Sequence, residues 1–411
     1  MKRLIAVLLI ASTTPLAAQR ERAVAGLDSL DVVVTGAMIA DGSGRPAFAG
    51  EIGVRSGWIV VVGRPGELDR ARARVRIDAG GMMLSPGFID VHSHTVPAIL
   101  SSERKLNEGV IRQGVTTVVA GPDGGFAPEM IRRTIAFLQS EGAGTNVASY
   151  VGHNGVRRAV MGNAQRAPTA EEMDRMKALV REGMELGAVG LSTGLMYEPG
   201  MFSTTDEVVE LARVVAPYRG IYDSHVRDPG KRLVWSDREA IEIGERAGIP
   251  PKLGHLKAVG LEQAGLIKDV IAMVEQARAR GVEAVSDQYP YDGAATASLE
   301  NIIVAPAELK SGFDLKAALR DRNTRAKVKV ASEQGVDGGF AWLKATGYSS
   351  MRITTSPDDP SLVGKYLSEL AEARDADPFD VVSDLILGAT KPIGITLGAI
   401  MEEDVRTLLV Q

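Results

Sequence analysis

From residue 85 onward the sequence keeps one rhythm: short apolar runs alternate with longer stretches of helical periodicity. Seven strand-like runs stand out, at 87–92, 116–120, 147–151, 189–192, 221–224, 252–255 and 284–287, and helical patterns such as 169–186, 205–217 and 263–280 lie between them. Strands with little polar alternation suit a parallel sheet covered on both faces by helices. Repeated βα units in this number predict an α/β fold of the (β/α)8, TIM-like barrel type, whose site lies at the C-terminal ends of the strands. A doubly wound open sheet is the alternative, but no Gly-rich phosphate loop follows the first strand.

The flanking stretches read differently. Residues 30–84 alternate as short strands with turns at Asp41-Gly42-Ser43-Gly44 and Ser56-Gly57, which predicts the N-terminal part of a small β-sandwich over 27–84. The barrel is expected over 85–291, an inserted lid or subdomain over 292–350, and C-terminal barrel helices over 351–411. The last residues form a helical pattern with no strand after it, so the barrel is expected to lack its eighth strand and the chain to be C-terminally truncated. The run 393–397 is a candidate to cover part of that gap, with no pattern in the sequence that requires it.

With a net charge of −5 and no basic tract among 411 residues, nucleic acid is excluded as an expected partner. Lys2 and Arg3 precede an apolar run at 4–11, and Pro15-Leu16-Ala17-Ala18-Gln19 offers a small-residue cleavage site. Residues 1–18 thus read as a secretory signal peptide, cut after Ala18 or one residue to either side, with an uncleaved anchor as the alternative. The run is too short to span a bilayer, and no cysteine is present for a disulfide or a lipidated N-terminus. A periplasmic or secreted protein with no stable membrane span after cleavage is expected.

Five histidines occur, His92, His94, His153, His225 and His255, each at or just beyond a predicted strand end. His92 and His94, two apart on a strand, project to the same side. Alone such a pair is equally a pair of satisfied surface histidines. Four imidazoles from strands 1, 5 and 6 converging on one barrel mouth point instead to zinc or another divalent ion, one or two per chain, with a carboxylate completing the site.

The stretches PGFIDVHSH (86–94), GVTTVVAGPDG (114–124), VGHNGVRRAVMG (151–162), GAVGLSTGLMYEPG (187–200), GIYDSHVRDPG (220–230), LGHLKAVG (253–260) and DQYPYDG (287–293) together resemble the amidohydrolase superfamily, and within it the N-acyl-D-amino-acid deacylases. The resemblance implies a zinc-dependent hydrolase that cleaves the acyl amide of small-molecule N-acyl-D-amino acids, or related D-dipeptides. It places His92 and His94 on a first metal, with His225 and His255 on a second or shared one. Asp123 stands where many of these enzymes carry a cysteine ligand; a turn aspartate in Pro-Asp-Gly is the other reading. Lys257 is implied to hold the substrate carboxylate, and Tyr197 and Tyr291 to contact substrate. His153 would brace the site from behind, and Arg227 and Asp228 would form an ion pair holding the strand-5 loop.

The family's proton-accepting aspartate lies at the end of strand 8 and is expected beyond Gln411. Without it these 411 residues would be an inactive, catalytically incomplete metal-binding chain. A cyclic amidase of the hydantoinase or dihydroorotase type is a further alternative. Those enzymes use a bridging lysine on strand 4, and 188–192 contains none.

Overall fold

The computed structural model describes residues 29–309, 313–336 and 340–411. The expected signal peptide at 1–18 lies outside the described residues. The chain divides into two compact units between Phe88 and Ile89.

The first unit is a five-stranded sheet. β1 (Leu30–Ile39) pairs antiparallel with β2 (Phe48–Arg55), and β2 pairs antiparallel with β3 (Trp58–Gly63). β4 (Ala73–Asp78) and β5 (Met83–Leu84) run parallel to β1. The β2–β3 hairpin turns at Ser56-Gly57, both with positive φ, the backbone that two-residue hairpins require. β1 is buried on both faces. Val34, Ala37 and Ile39 pack with Ile52 and Ala79, while Leu30 and Val33 pack with Leu68.

In the second unit seven segments carry the parallel strands. β6 (Phe88–Ser93), β7 (Val115–Ala120) and β8 (Asn146–Ser149) form one sheet. β9 (Val151–Gly152) continues the β8 segment and pairs with β10 (Gly190–Gly194), followed in order by β11 (Ile221–His225), β12 (Pro251–Leu253) and β13 (Val285–Ser286). The strands coincide with the runs expected from the sequence, and β6 and β13 stand at the edges of this order. Helices Ala170–Glu185, Leu233–Ala247 and Ile267–Ala279 bury Met176, Val180, Ile243 and Val270 against Leu191, Tyr222 and Leu253 of the strands. The helix expected over 205–217 ends at Ala212 and gives way to a 3-10 turn at Ala216–Tyr218, where Pro217 has no N–H to continue it.

Beyond residue 292 the structure departs from the expected division at 350/351. β14 (Gly293–Ser298), β15 (Met351–Thr355) and β16 (Gly394–Gly398) form one antiparallel sheet in the order β14-β16-β15, so a single subdomain spans both sides of that boundary. Ile393, Ile395 and Leu397 bury with Leu299, Met351, Ile353 and Phe379 in a core of its own. The run 393–397 therefore serves as the middle strand of this sheet, its alternating isoleucines and leucine filling that core instead of covering a barrel edge. Among the described residues no helix is long and apolar enough to cross a membrane.

Candidate metal centre

Parallel pairing places the ends of the strands together, and four of the five histidines meet there. Ring centroids of His92 and His255 are 4.4 Å apart, those of His225 and His255 4.5 Å, and those of His92 and His94 5.4 Å. At their centre stands Asp123. Its Oδ1 lies 3.3 Å from His92 Nε2, His225 Nδ1 and His255 Nε2, and its Oδ2 lies 3.2 Å from His94 Nε2. Asp123 follows β7 in a left-handed turn with φ +57°, so the turn reading and the central position are both true of one residue. The turn delivers the carboxylate.

His92 Nε2, His225 Nδ1 and Asp123 Oδ1 are buried without a hydrogen-bond partner. Orphaned buried polar atoms are costly. Ligands about 2.1 Å from one ion in a tetrahedron stand about 3.4 Å apart, which the spacing here matches. His92, His94 and Asp123 make one group able to hold an ion, and Asp123, His225 and His255 a second, with Asp123 shared between them. Nitrogen and carboxylate donors in this number suit a divalent cation, so the residues fit the group that the sequence implied.

Electrostatics agree with that use. Burial pushes His225 and His255 below the ordinary imidazole range, His255 well below, which keeps both neutral and free to donate a lone pair. Burial alone would raise the Asp123 carboxyl, but the surrounding imidazoles hold it well below the usual carboxylate range. In the metal-free protein a histidine with a depressed native pKa costs stability once the unfolded chain begins to protonate. The metal-free protein is therefore expected to lose stability as pH falls below about 6.5, by up to about 1.4 kcal/mol per pH unit for each such histidine. Thermal melts in chelator between pH 7.5 and 5.5 check this, and a flat profile would contradict it.

A cavity of 910 Å3 opens over the cluster, lined among others by Met196, Tyr197, Lys257, Tyr289, Tyr291 and Trp342. Lys257 is buried, donates to the His255 carbonyl at 3.2 Å, and lies 5.7 Å over the Tyr289 ring. Burial lowers its pKa to about 8. Tyr197 packs on His225 at 4.6 Å, and Tyr291 stacks on Tyr289 at 5.0 Å.

His153 does not join the cluster. It begins a helix just past β9 and hydrogen-bonds Glu207 at 3.0 Å, and Glu207 also pairs with Arg157. The expected Arg227–Asp228 ion pair is corrected. Arg227 binds Glu239 at 2.8 Å and the carbonyls of Met201 and Ser203, because Glu239 is buried behind the loop and needs a cation. Asp228 instead accepts from Gly230 N, closing its own turn.

Three residues went unnoticed in the sequence. Lys252 Nζ bridges Asp223 Oδ1 at 2.5 Å and Asp287 Oδ2 at 2.6 Å, and Asp287 Oδ1 accepts the His255 N–H. That bond holds His255 in a left-handed conformation, φ +38°. The signal was present: Asp223 and Lys252 interrupt otherwise apolar parallel strands, and charges are buried there only when paired. Gly254 completes the floor, since a Cβ there would sit 3.0 Å from Asp223 Oδ1 and 3.3 Å from His92 Cε1.

Imidazoles and a shared carboxylate at the C-terminal ends of parallel βα strands suit a divalent cation, and the comparisons make the chain a metal-dependent hydrolase acting on linear amides. The amidohydrolase family model matches residues 76–219. The D-aminoacylase of Alcaligenes xylosoxydans xylosoxydans is 31% identical over 345 residues, covering 76% of this chain and 70% of its own length. The N-acyl-D-glutamate deacylase of the same organism is 33% identical over 290 residues, covering 66% of this chain and 58% of its own. Among solved structures, the N-acyl-D-glutamate deacylase from Bordetella bronchiseptica, complexed with zinc and a phosphonate mimic of the tetrahedral intermediate, superposes with a TM-score of 0.74 at 28% identity. That match covers 93% of this chain and 74% of the other. The chain belongs to the D-aminoacylase family of amidohydrolases, and spans 58 to 74% of the length of these relatives.

Proposed function

We propose that the protein is a zinc-dependent deacylase of N-acyl-D-amino acids, releasing a free D-amino acid and a carboxylate. The observation that carries this is the single carboxylate, Asp123, set within 3.3 Å of four imidazoles beneath a cavity whose wall holds a buried lysine. His92 and His94 would hold one ion and His225 and His255 another, with Asp123 between them; one ion shared by the set is the simpler case. A divalent ion there supplies a Lewis acid for the amide carbonyl and hydroxide near neutral pH.

The chain's own residues hold and orient the substrate. Lys257 binds the substrate α-carboxylate, a charge-assisted contact that fixes which amide faces the cluster. Tyr197, against His225, and Tyr291, on the Tyr289 stack, confine the acyl group and side chain. The relatives' activities support the D-configuration. The charged, apolar and small-residue order of residues 1–18 supports export to the periplasm or medium.

The test is amine release by the zinc-loaded protein from N-acetyl-D-amino acids and their L-enantiomers. D-selective release is expected. Hydrolysis of cyclic amides with none of N-acetyl-D-amino acids would overturn the reading. Lys257→Met is expected to raise KM for these substrates on the order of 10- to 100-fold, the worth of a hydrogen bond to a charged group. The kinetic check is that kcat changes less than KM.

A further inference from the structure

His92 presents two nitrogens to two different environments. Nε2 faces Asp123 at 3.3 Å, while Nδ1 points down into the sheet, buried and without a hydrogen-bond partner. Two carboxylate oxygens lie near that Nδ1: Asp223 Oδ2 at 3.8 Å and Asp287 Oδ2 at 3.9 Å. They are not equivalent. Neither oxygen has a hydrogen-bond partner, but Asp287 Oδ2 stands 2.6 Å from the Lys252 ammonium as an ion pair, and its Oδ1 takes the His255 N–H. Asp223 spends only Oδ1 on Lys252, at 2.5 Å, and leaves Oδ2 buried with no partner. One orphaned donor position thus faces two orphaned acceptors, of which only Asp223 Oδ2 has no ammonium against it. A ring nitrogen that ligates a metal needs its lone pair outward and its proton on the other nitrogen, and a carboxylate behind the ring is what fixes that tautomer.

We propose that Asp223 is a positioning residue for the centre: its Oδ2 accepts the His92 Nδ1 proton and so holds the Nε2 lone pair toward Asp123 and the ion. Lys252 is its anchor. Paired across β11 and β12, where Asp223 and Lys252 are in register, the ammonium fixes the carboxylate and keeps it from rotating into the cluster as a ligand. Two carboxylates against one ammonium leave a single formal negative charge behind His92. The inference rests on the reading of His92 as a metal donor, so its test separates the two.

Zinc affinity is measured by chelator competition on the wild type and on Asp223→Ala, Asp223→Asn and His92→Ala. Asp223→Ala is expected to weaken zinc binding 10- to 100-fold. Asp223→Asn has one carbonyl, which the Lys252 ammonium takes, so an N–H faces Nδ1 and zinc affinity should stay as low as in the alanine variant. Lys252 keeps Asp287 as a partner in both variants, so folding is expected to survive. The second readout is the 15N spectrum of the labelled histidines, five in all, on the zinc-loaded protein. His92 should be protonated at Nδ1 in the wild type and lose that preference in both Asp223→Asn and Asp223→Ala. Unchanged zinc affinity and an unchanged His92 tautomer in Asp223→Ala, with only a lower melting temperature, would overturn the proposal. If His92→Ala also leaves zinc affinity unchanged, the reading of His92 as a donor falls with it.

Discussion

Asp123→Ala is expected to abolish amide turnover and to weaken divalent-metal binding by at least about 100-fold, more than a residue behind the ligands would cost. Among the described residues no other group is shown against all four imidazoles, so its removal leaves their nitrogens with no anion to draw a cation among them. Part of any loss in alanine would come from the backbone, since φ is +57° there and alanine is strained in that region. Asp123→Asn removes this ambiguity, because asparagine tolerates the left-handed conformation and keeps the shape without the charge. Asp123→Cys is expected to retain metal and to shift preference toward softer ions such as cadmium. Calorimetry of metal-depleted protein reads all three variants. Unaltered affinity in Asp123→Ala would reduce the residue to a turn former.

Lys252→Met is expected to destabilise the fold by about 3 to 5 kcal/mol, the cost of stranding buried charge by deleting its partner. In a unit of this size that corresponds to a fall in Tm of about 5 °C. Lys252 is 3% exposed and Asp223 fully buried, so no water replaces the lost ammonium. Adding Asp223→Asn to Lys252→Met should recover part of the loss, because one carboxylate then no longer needs neutralising. Urea titrations at fixed metal concentration give the comparison. A double variant no more stable than the single one would mean that the two groups act independently.

The parallel strands and the histidines were readable because each rests on local pattern. Apolar runs at 116–120 and 221–224 announce buried strands, and histidines at their ends inherit a common direction from strand geometry. The Asp223–Lys252–Asp287 bridge was not readable in the same way, since it depends on the register between β11, β12 and β13 and no one segment carries it. Glu239 as the partner of Arg227 depends on how a helix seats over a loop, whereas adjacency in sequence pointed to Asp228. The sheet of β14, β15 and β16 joins residues about 100 positions apart, so a linear reading cut it at 350.

All five donors lie between His92 and His255, and the network beneath them ends at Asp287. The antiparallel subdomain begins at Gly293 and contributes Thr296, Trp342 and Thr396 to the lining of the cavity. The donors thus all come from the first stretch, while the pocket wall is shared: Tyr197, Lys257 and Tyr291 precede Gly293, and Thr296, Trp342 and Thr396 follow it. Exchange of the second stretch alone would therefore reshape one part of the pocket while every donor stays in place.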